Sequence, residues 1–543
     1  QDASSTFGNL DISKPLTSSY NTYIHANSTY PMIVSGDLYL RASNQFHLQG
    51  EDLTVMGALV NETTSVMDMA TGSDFINTLD YTLNGSLTMS GGNATIHGRF
   101  TESSTGVLTI TDGVFTNDKA LELPATDLSG TLNMSNGIFE ISHMSTEIKS
   151  TFVDNIAGGT MRFGSTLLAA DNCFQPAGGT VDLINFSGTG YPYLQIGTVN
   201  WLQNLTVNSN IQWYISGSGS TQLTIKKDLI INSGGLIGTD DVLYIGDDWT
   251  NNVGTSGFNC GTASTVYLNG AVATPERQVI SGNTTFYNLS NLNTSAVVEF
   301  AGPITVNNNY YGGGGGAACE TFITGTPISI QTLNLTTGNF ALSTSAPVVS
   351  VISFSQGGTV QVTNGSYTVN DLVENYIGGA YTIYNGQINL TQDASSLVDL
   401  NANLYIHGGA FNVLGGTDLS YWPYMASGSL TMDAGVLDFQ TVGIHLYSDS
   451  FTENVTGGMI RTAGYFTSGS GITFFTPGGG AVELYGDDYV QVNMAAGCWF
   501  HDLYAAKTAP ATVEPSSSLT VKGELKVKSS EFNTNGYQVT VGE

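Results

Sequence analysis

Apolar and polar residues alternate along this chain in short runs, and glycine punctuates the runs. The clearest unit reads Leu-x-apolar-x-x-Gly-x-apolar-x-apolar. It occurs as Leu87-Thr88-Met89-Ser90-Gly91-Gly92-Asn93-Ala94-Thr95-Ile96, then from Leu108 to Phe115 around Gly113, then from Leu132 to Ile141 around Gly137. It returns from Leu404 to Val413 around Gly409 and from Leu430 to Phe439 around Gly435. Alternation is the period of a strand with one buried face. A glycine between two such runs marks a turn that needs positive φ or has no room for a Cβ. Each unit therefore predicts strand, turn, strand. The first three units start at 87, 108 and 132 and the later two at 404 and 430, spacings of about one solenoid coil. A second motif is Gly-Gly followed by alternating apolar residues, at Gly158-Gly159, Gly178-Gly179, Gly357-Gly358, Gly457-Gly458 and Gly479-Gly480. It predicts sharp corners that enter a strand.

A longer repeat lies over the short one. Ser129-Gly130-Thr131-Leu132 aligns with Ser427-Gly428-Ser429-Leu430, and the segment from Phe152 to Gly159 aligns with that from Phe451 to Gly458. Gln175 to Leu183 aligns with Thr476 to Leu484, and Leu223-Thr224-Ile225-Lys226 with Leu519-Thr520-Val521-Lys522. The near-constant offset predicts one unit copied in tandem. A marker segment, at Phe7-Gly8-Asn9-Leu10, Leu202-Gln203-Asn204-Leu205, Phe286-Tyr287-Asn288-Leu289 and Phe500-His501-Asp502-Leu503, sets the units at 1–285 and 286–543. Val541-Gly542-Glu543 matches Ile245-Gly246-Asp247, so the array is expected to be cut within a unit of a longer product. The opening Gln1-Asp2-Ala3-Ser4 reads as a mature N-terminus left by cleavage.

These repeats predict an all-β fold, a parallel β-helix (β-solenoid), right-handed as the commoner hand. Antiparallel sandwiches need hairpin signals and a closed domain of modest size. Propeller blades should share one dominant period, and these spacings vary too freely. In a solenoid each coil leaves its strand edges unpaired until the next coil stacks on it, which satisfies the backbone and aligns like residues into ladders. Five consecutive glycines, Gly312 to Gly316, read as a surface loop inserted in the second unit.

Composition narrows the function. Only 11 % of the 543 residues are charged, 14 Lys and Arg against 44 Asp and Glu, a formal net charge of -30. That field repels nucleic acid and anionic membranes and suits cations. No stretch approaches the roughly 20 apolar residues of a membrane span. The 66 glycines, with abundant Asn, Thr and Ser beside β-branched and aromatic residues, describe strands and tight turns.

Three segments carry a resemblance. Gly261 to Gly270 with Ser264-Thr265-Val266-Tyr267-Leu268-Asn269, Gln278-Val279-Ile280-Ser281-Gly282, and Phe286-Tyr287-Asn288-Leu289 together resemble the repeats of large secreted surface proteins of Bacteroidota and related phyla. The resemblance extends over nearly the whole chain. It implies a secreted protein, exported by the type IX route and anchored or shed at the cell surface. The C-terminal sorting domain of that route has no counterpart in this sequence, which fits its removal.

Candidate chemistry is sparse. Asp240-Asp241, Asp247-Asp248 and Asp487-Asp488 stand beside glycine or threonine, as solvated turn residues or as calcium ligands; Asp247, Asp248, Asp487 and Asp488 are the candidate metal residues, and calcium the one candidate cofactor. His97-Gly98 and His407-Gly408 echo a polygalacturonase fragment, but its Asn-Thr-Asp and Arg-x-Lys elements are missing, so both histidines read as turn residues. Five arginines at 41, 99, 162, 277 and 461 assemble no basic cleft, and no Gly-x-Ser-x-Gly, Walker loop or HExxH occurs. No catalytic residue is therefore nominated. Tyr310, Tyr311, Trp422 and Tyr424 either stack on sugars or pack between coils. Cys173, Cys260, Cys319 and Cys498 lack metal-ligand spacing, and a Cys260–Cys319 bridge and four separate buried thiols both stay open. The expectation is a non-enzymatic extracellular structural protein that self-associates end to end through Phe7 to Ile12 and Tyr537 to Val541, with an adhesive role toward surface glycans. The alternative is a carbohydrate-active enzyme or carbohydrate-binding module on the same scaffold.

Overall fold

In the computed structural model the chain is built from parallel strands, and no helix occurs among the described residues. The structure describes residues 6–13, 31–50, 52–70, 74–118, 126–186, 188, 190–215, 222–238, 240–270, 277–293, 297–312, 320–325, 327–335, 339–342, 348–356, 359–362, 366–369, 376–377, 380–391, 399–400, 403–414, 424–425, 428–440, 443–446, 450–468, 475–508, 511–528 and 531–542.

One coil shows how the pattern folds. Thr131–Met134 turns at Gly137 into Ile138–Ile141 and continues to a third strand, Thr146–Ile148. The next coil repeats this as Val153–Ile156, Thr160–Phe163 and Leu167–Ala169. Pairing is parallel: Thr131 with Val153, Ile138 with Thr160, Thr146 with Leu167. Each strand's backbone groups are satisfied by the coils on either side, which is why no hairpin is needed. This is the parallel β-helix that the alternation and the coil spacing predict.

The alternation places one ladder of apolar side chains inside. Ala94, Phe115, Phe139, Met161, Val181, Leu205, Leu229 and Trp249 face one another across successive coils. None is more than 3 % exposed. The Phe115 and Phe139 rings stack at 5.4 Å and 9°, and Phe100 meets Phe115 edge-on at 4.8 Å. Burial of each such side chain contributes roughly 1.5–3 kcal/mol.

The two glycine motifs of the sequence turn out to share one corner. Gly137, Gly159 and Gly179 stand just before Ile138–Ile141, Thr160–Phe163 and Thr180–Leu183, and Gly113 holds the same register within Val107–Asn117, all with φ between +77° and +94°. A Cβ on Gly137 would stand 2.6 Å from the Gly113 carbonyl oxygen and 2.8 Å from Ile110 Cγ2. Both the backbone conformation and the space thus require glycine there. Gly357-Gly358 and the glycines from 313 to 316 lie outside the described residues.

The chain divides into two compact units, Gln1–Gly270 with Gly282–Phe286, and Ala271–Ser281 with Tyr287–Glu543. Within each, the aligned segments fold alike. Among the described residues, seven strands run from Thr131–Met134 to Thr180–Leu183, and seven from Gly428–Met432 to Ala481–Gly486. Trp201 donates its indole N–H to the Pro176 carbonyl at 3.2 Å, and Trp499 donates to Pro477 at the same distance. Lys226 covers the Trp201 ring at 5.1 Å, as Lys522 covers Trp499 at 5.4 Å.

Candidate functional site

Outward-facing positions carry the charge. In the first unit, register sets Glu140, Arg162 and Asp182 side by side on three coils. Arg162 Nη1 donates to Glu140 Oε2 at 3.5 Å, and Nε lies 3.5 Å from Asp182 Oδ2. Asn208 donates to Asp182 at 2.7 Å, Asn232 to Asn208 at 3.0 Å, and Asn252 to Asn232 at 2.8 Å. Burial pushes the Asp182 carboxyl above its ordinary value, against the pull of Asn208 and Arg162.

The second unit builds the same ladder from Asp438, Arg461 and Glu483. Arg461 donates to Asp438 at 3.0 Å and to Glu483 at 2.8 Å. Lys528 donates to Glu483 at 3.3 Å, and the Tyr485 hydroxyl donates to Asp438 at 2.8 Å. The Arg461 guanidinium also lies 4.4 Å over the Tyr485 ring. Burial raises the Asp438 carboxyl. Burial acts the same way on Glu483, but Arg461 and Lys528 outweigh it and hold that carboxyl below its ordinary value. Every carboxylate in these ladders is engaged by a cation or amide on a neighbouring coil, an arrangement that ties coils together.

Asp247 and Asp248 follow the strand Val242–Ile245, and the coil before brings Asp228 to them. One oxygen from each of the three carboxylates lies within 4.8 Å of the others. Asp248 N–H donates to Asp228 Oδ1 at 3.2 Å, and Asp228 N–H to the Asn204 amide oxygen at 3.4 Å, so the Asp228 carboxylate also caps the turn of the next coil. Three half-buried carboxylates can supply the oxygen ligands of a hard divalent cation such as calcium. Asp487 and Asp488 are exposed in the turn after Ala481–Gly486, and among the described residues no third acid joins them.

Glu102 and Lys507 carry an acid and an amine inside the coils. Glu102 pairs with Leu83 and Leu128 in an apolar ladder and is 3 % exposed. Its Oε2 accepts the Gly130 N–H at 3.3 Å, and burial pushes its carboxyl up to about 8. Lys507 is fully buried at the end of Asp502–Lys507. Its amine donates to the Ala463 carbonyl at 2.6 Å, and burial brings it down to about 8 against the pull of Asp488 and Asp487. Neither was nominated from sequence, although alternation with Phe100 and with Leu503 and Ala505 assigns both to the inner face.

The remaining candidates disperse. His97 pairs with Asp118 at 2.8 Å and His407 with Asp433 at 3.0 Å, each across one coil step in a turn. Tyr310 is fully buried, its hydroxyl on Thr321, so packing and not sugar stacking is its use. Tyr311 is 44 % exposed; Trp422 lies outside the described residues, as does the side chain of Tyr424. Cys173, Cys260 and Cys498 are buried, each thiol pushed up by burial. Cys319 lies outside the described residues. No helix among the described residues is long and apolar enough to cross a membrane. No protein-family model, curated protein or solved structure matches the chain.

Proposed function

We propose that this chain is a structural subunit of an extracellular surface layer or filament. One observation carries the reading: the outward arginines Arg162 and Arg461 are each matched to acids on the neighbouring coils, so that these charges tie coil to coil. Side chains used this way lend stiffness along the stacking direction. A solenoid coil also presents unpaired strand edges that accept a further coil. In the segment 525–541, Val527, Tyr537 and Val541 are 48, 42 and 46 % exposed. A second copy stacking on them would extend the ladder head to tail, and a contact that does not close generates a filament. The acidic, neutral-amide-rich exterior and the Bacteroidota-like repeats agree with export to the cell surface. Sedimentation velocity over a broad concentration range tests this. Mass that grows with concentration, with fibres in electron micrographs, is expected. A single 57.2 kDa species at high concentration, with or without calcium, would overturn it.

A further inference from the structure

Large aromatic rings such as Trp213, Trp249, Tyr81, Tyr310 and Phe115 lie inside the coils at under 2 % exposure. Tyr191 and Tyr193 depart from that pattern, at 52 and 40 %. Tyr193 is held by the coils on either side. Tyr193 N–H donates to Thr166 Oγ1 of the preceding coil at 3.1 Å, and Tyr193 bridges Tyr214 of the following coil in parallel register. Tyr214 N–H donates to the Pro192 carbonyl at 2.9 Å. The half-buried Tyr214 ring lies 5.3 Å from Tyr191 at 77° and 5.5 Å from Tyr193 at 31°. The three rings thus lie together at the surface, with Tyr193 and Tyr214 tied through the backbone and Tyr191 through its ring contact.

The surroundings define the occupant. Residues 190–195 and 208–215 include no Asp, Glu, Lys, Arg or His, and neither do the flanking coil segments 164–170 and 231–238. A charged ligand finds no complement there, and the net charge of -30 repels polyanions. Flat rings with hydroxyl tips, with the exposed Gln195 two residues beyond Tyr193 on the same strand face, suit a sugar. Its C–H faces stack on the rings while its hydroxyls meet the polar tips.

The second unit supplies an internal contrast. Leu167 pairs with Leu194 as Phe466 pairs with Val492, which sets Tyr489 at the place of Tyr191 and Gln491 at that of Tyr193. Tyr489 is still 46 % exposed, but its hydroxyl donates to Glu514, which pairs with Gln491 as Tyr214 pairs with Tyr193. One ring is kept there and the aromatic surface is gone.

We infer that Tyr191, Tyr193 and Tyr214 form a stacking platform for a neutral polysaccharide. This goes beyond the structural role and stands without it. The test is affinity electrophoresis of the full chain in native gels that contain mixed-linkage β-glucan, xylan or glucomannan, with polygalacturonate as the anionic control. Retardation by at least one neutral polymer, and none by polygalacturonate, is expected. Tyr191→Ala with Tyr193→Gln, the latter residue being the one the second unit carries, should weaken binding roughly tenfold or more. Tyr193→Phe should keep most of it, and Tyr489→Ala should leave it unchanged. No retardation in the three neutral gels, retardation by polygalacturonate alone, or undiminished binding in the double variant would each overturn the proposal. So would a double variant that loses only self-association, since the rings would then meet protein.

Discussion

Arg162 and Arg461 hold the same place in two copies of one pattern, yet they sit in different company. Arg162 reaches two acids at 3.5 Å each, and beyond them the ladder passes to asparagines. Arg461 binds its two acids at 2.8 and 3.0 Å, lies over Tyr485, and shares Glu483 with Lys528. The inward misfits differ as well: the first unit encloses an acid, Glu102, and the second a base, Lys507. The comparison teaches that backbone register persists while side chains on it diverge. Register belongs to the coil length and its glycine corner; the partners belong to whatever residue each coil places there.

The largest contrast should come from pH. Glu102 has a folded value near 8 against 4.5 when free, so its favourable contribution is whole below 4.5 and is lost as pH rises through about 8. Lys507 has a folded value near 8 against 10.5, so its burial penalty is full below 8 and is relieved as pH rises toward 10.5. Hydrogen exchange corrected for intrinsic rates should show the coils around 100–130 losing protection between pH 5 and pH 8, by up to roughly 4 kcal/mol. Glu102→Gln should remove that loss. Protection there that is flat with pH would contradict the buried acid. The coils around 486–508 should gain protection above pH 8, and Lys507→Ser, after Ser209 at the matching place, should flatten the gain.

Next in size are the arginines. Arg461→Ala leaves Asp438 and Glu483, 6 and 11 % exposed at their side chains, without the cation between them. It should cost about 3 kcal/mol of local stability, read by exchange in the peptides around 436–484. Arg162→Ala should cost about 1 kcal/mol, its contacts being longer. Equal costs would erase the distinction between the two ladders. Tyr485→Phe keeps the ring over Arg461 and deletes the bond to Asp438, and should cost about 1 kcal/mol by the same measurement. The smallest effect concerns calcium. Millimolar calcium should raise protection around 226–250 by at most about 1 kcal/mol, Asp248→Asn should abolish the rise, and the turn at Asp487 and Asp488 should not respond. A calcium response at the latter turn alone would place the ion in the wrong unit.

Much of the fold was legible because alternation and glycine spacing are local signals. Leu87, Leu108 and Leu132, which open successive repeat units, pair directly in the ladder. The ionic partners were not legible. Glu140, Arg162 and Asp182 lie one coil apart, but coil length changes from step to step, and an error of one residue turns a side chain to the opposite face. Asp228 escaped notice beside Asp247 and Asp248 for the same reason. Glu102, Lys507 and Tyr310 could have been found by counting parity from their apolar neighbours. Without that count Tyr310 stays open between stacking and packing, and Glu102 and Lys507 draw no reading.

The glycine corner has a consequence for how such a chain changes over generations. Gly113, Gly137, Gly159 and Gly179 stay stacked although 24, 22 and 20 residues separate them. The strands that flank this corner keep their pairing, so every difference in coil length is taken up elsewhere on the circumference. Insertions and deletions away from the corner therefore leave the inner ladder untouched. One side of each coil acts as a ruler and the rest as free text, which lets the exterior diversify rapidly while the scaffold is inherited unchanged.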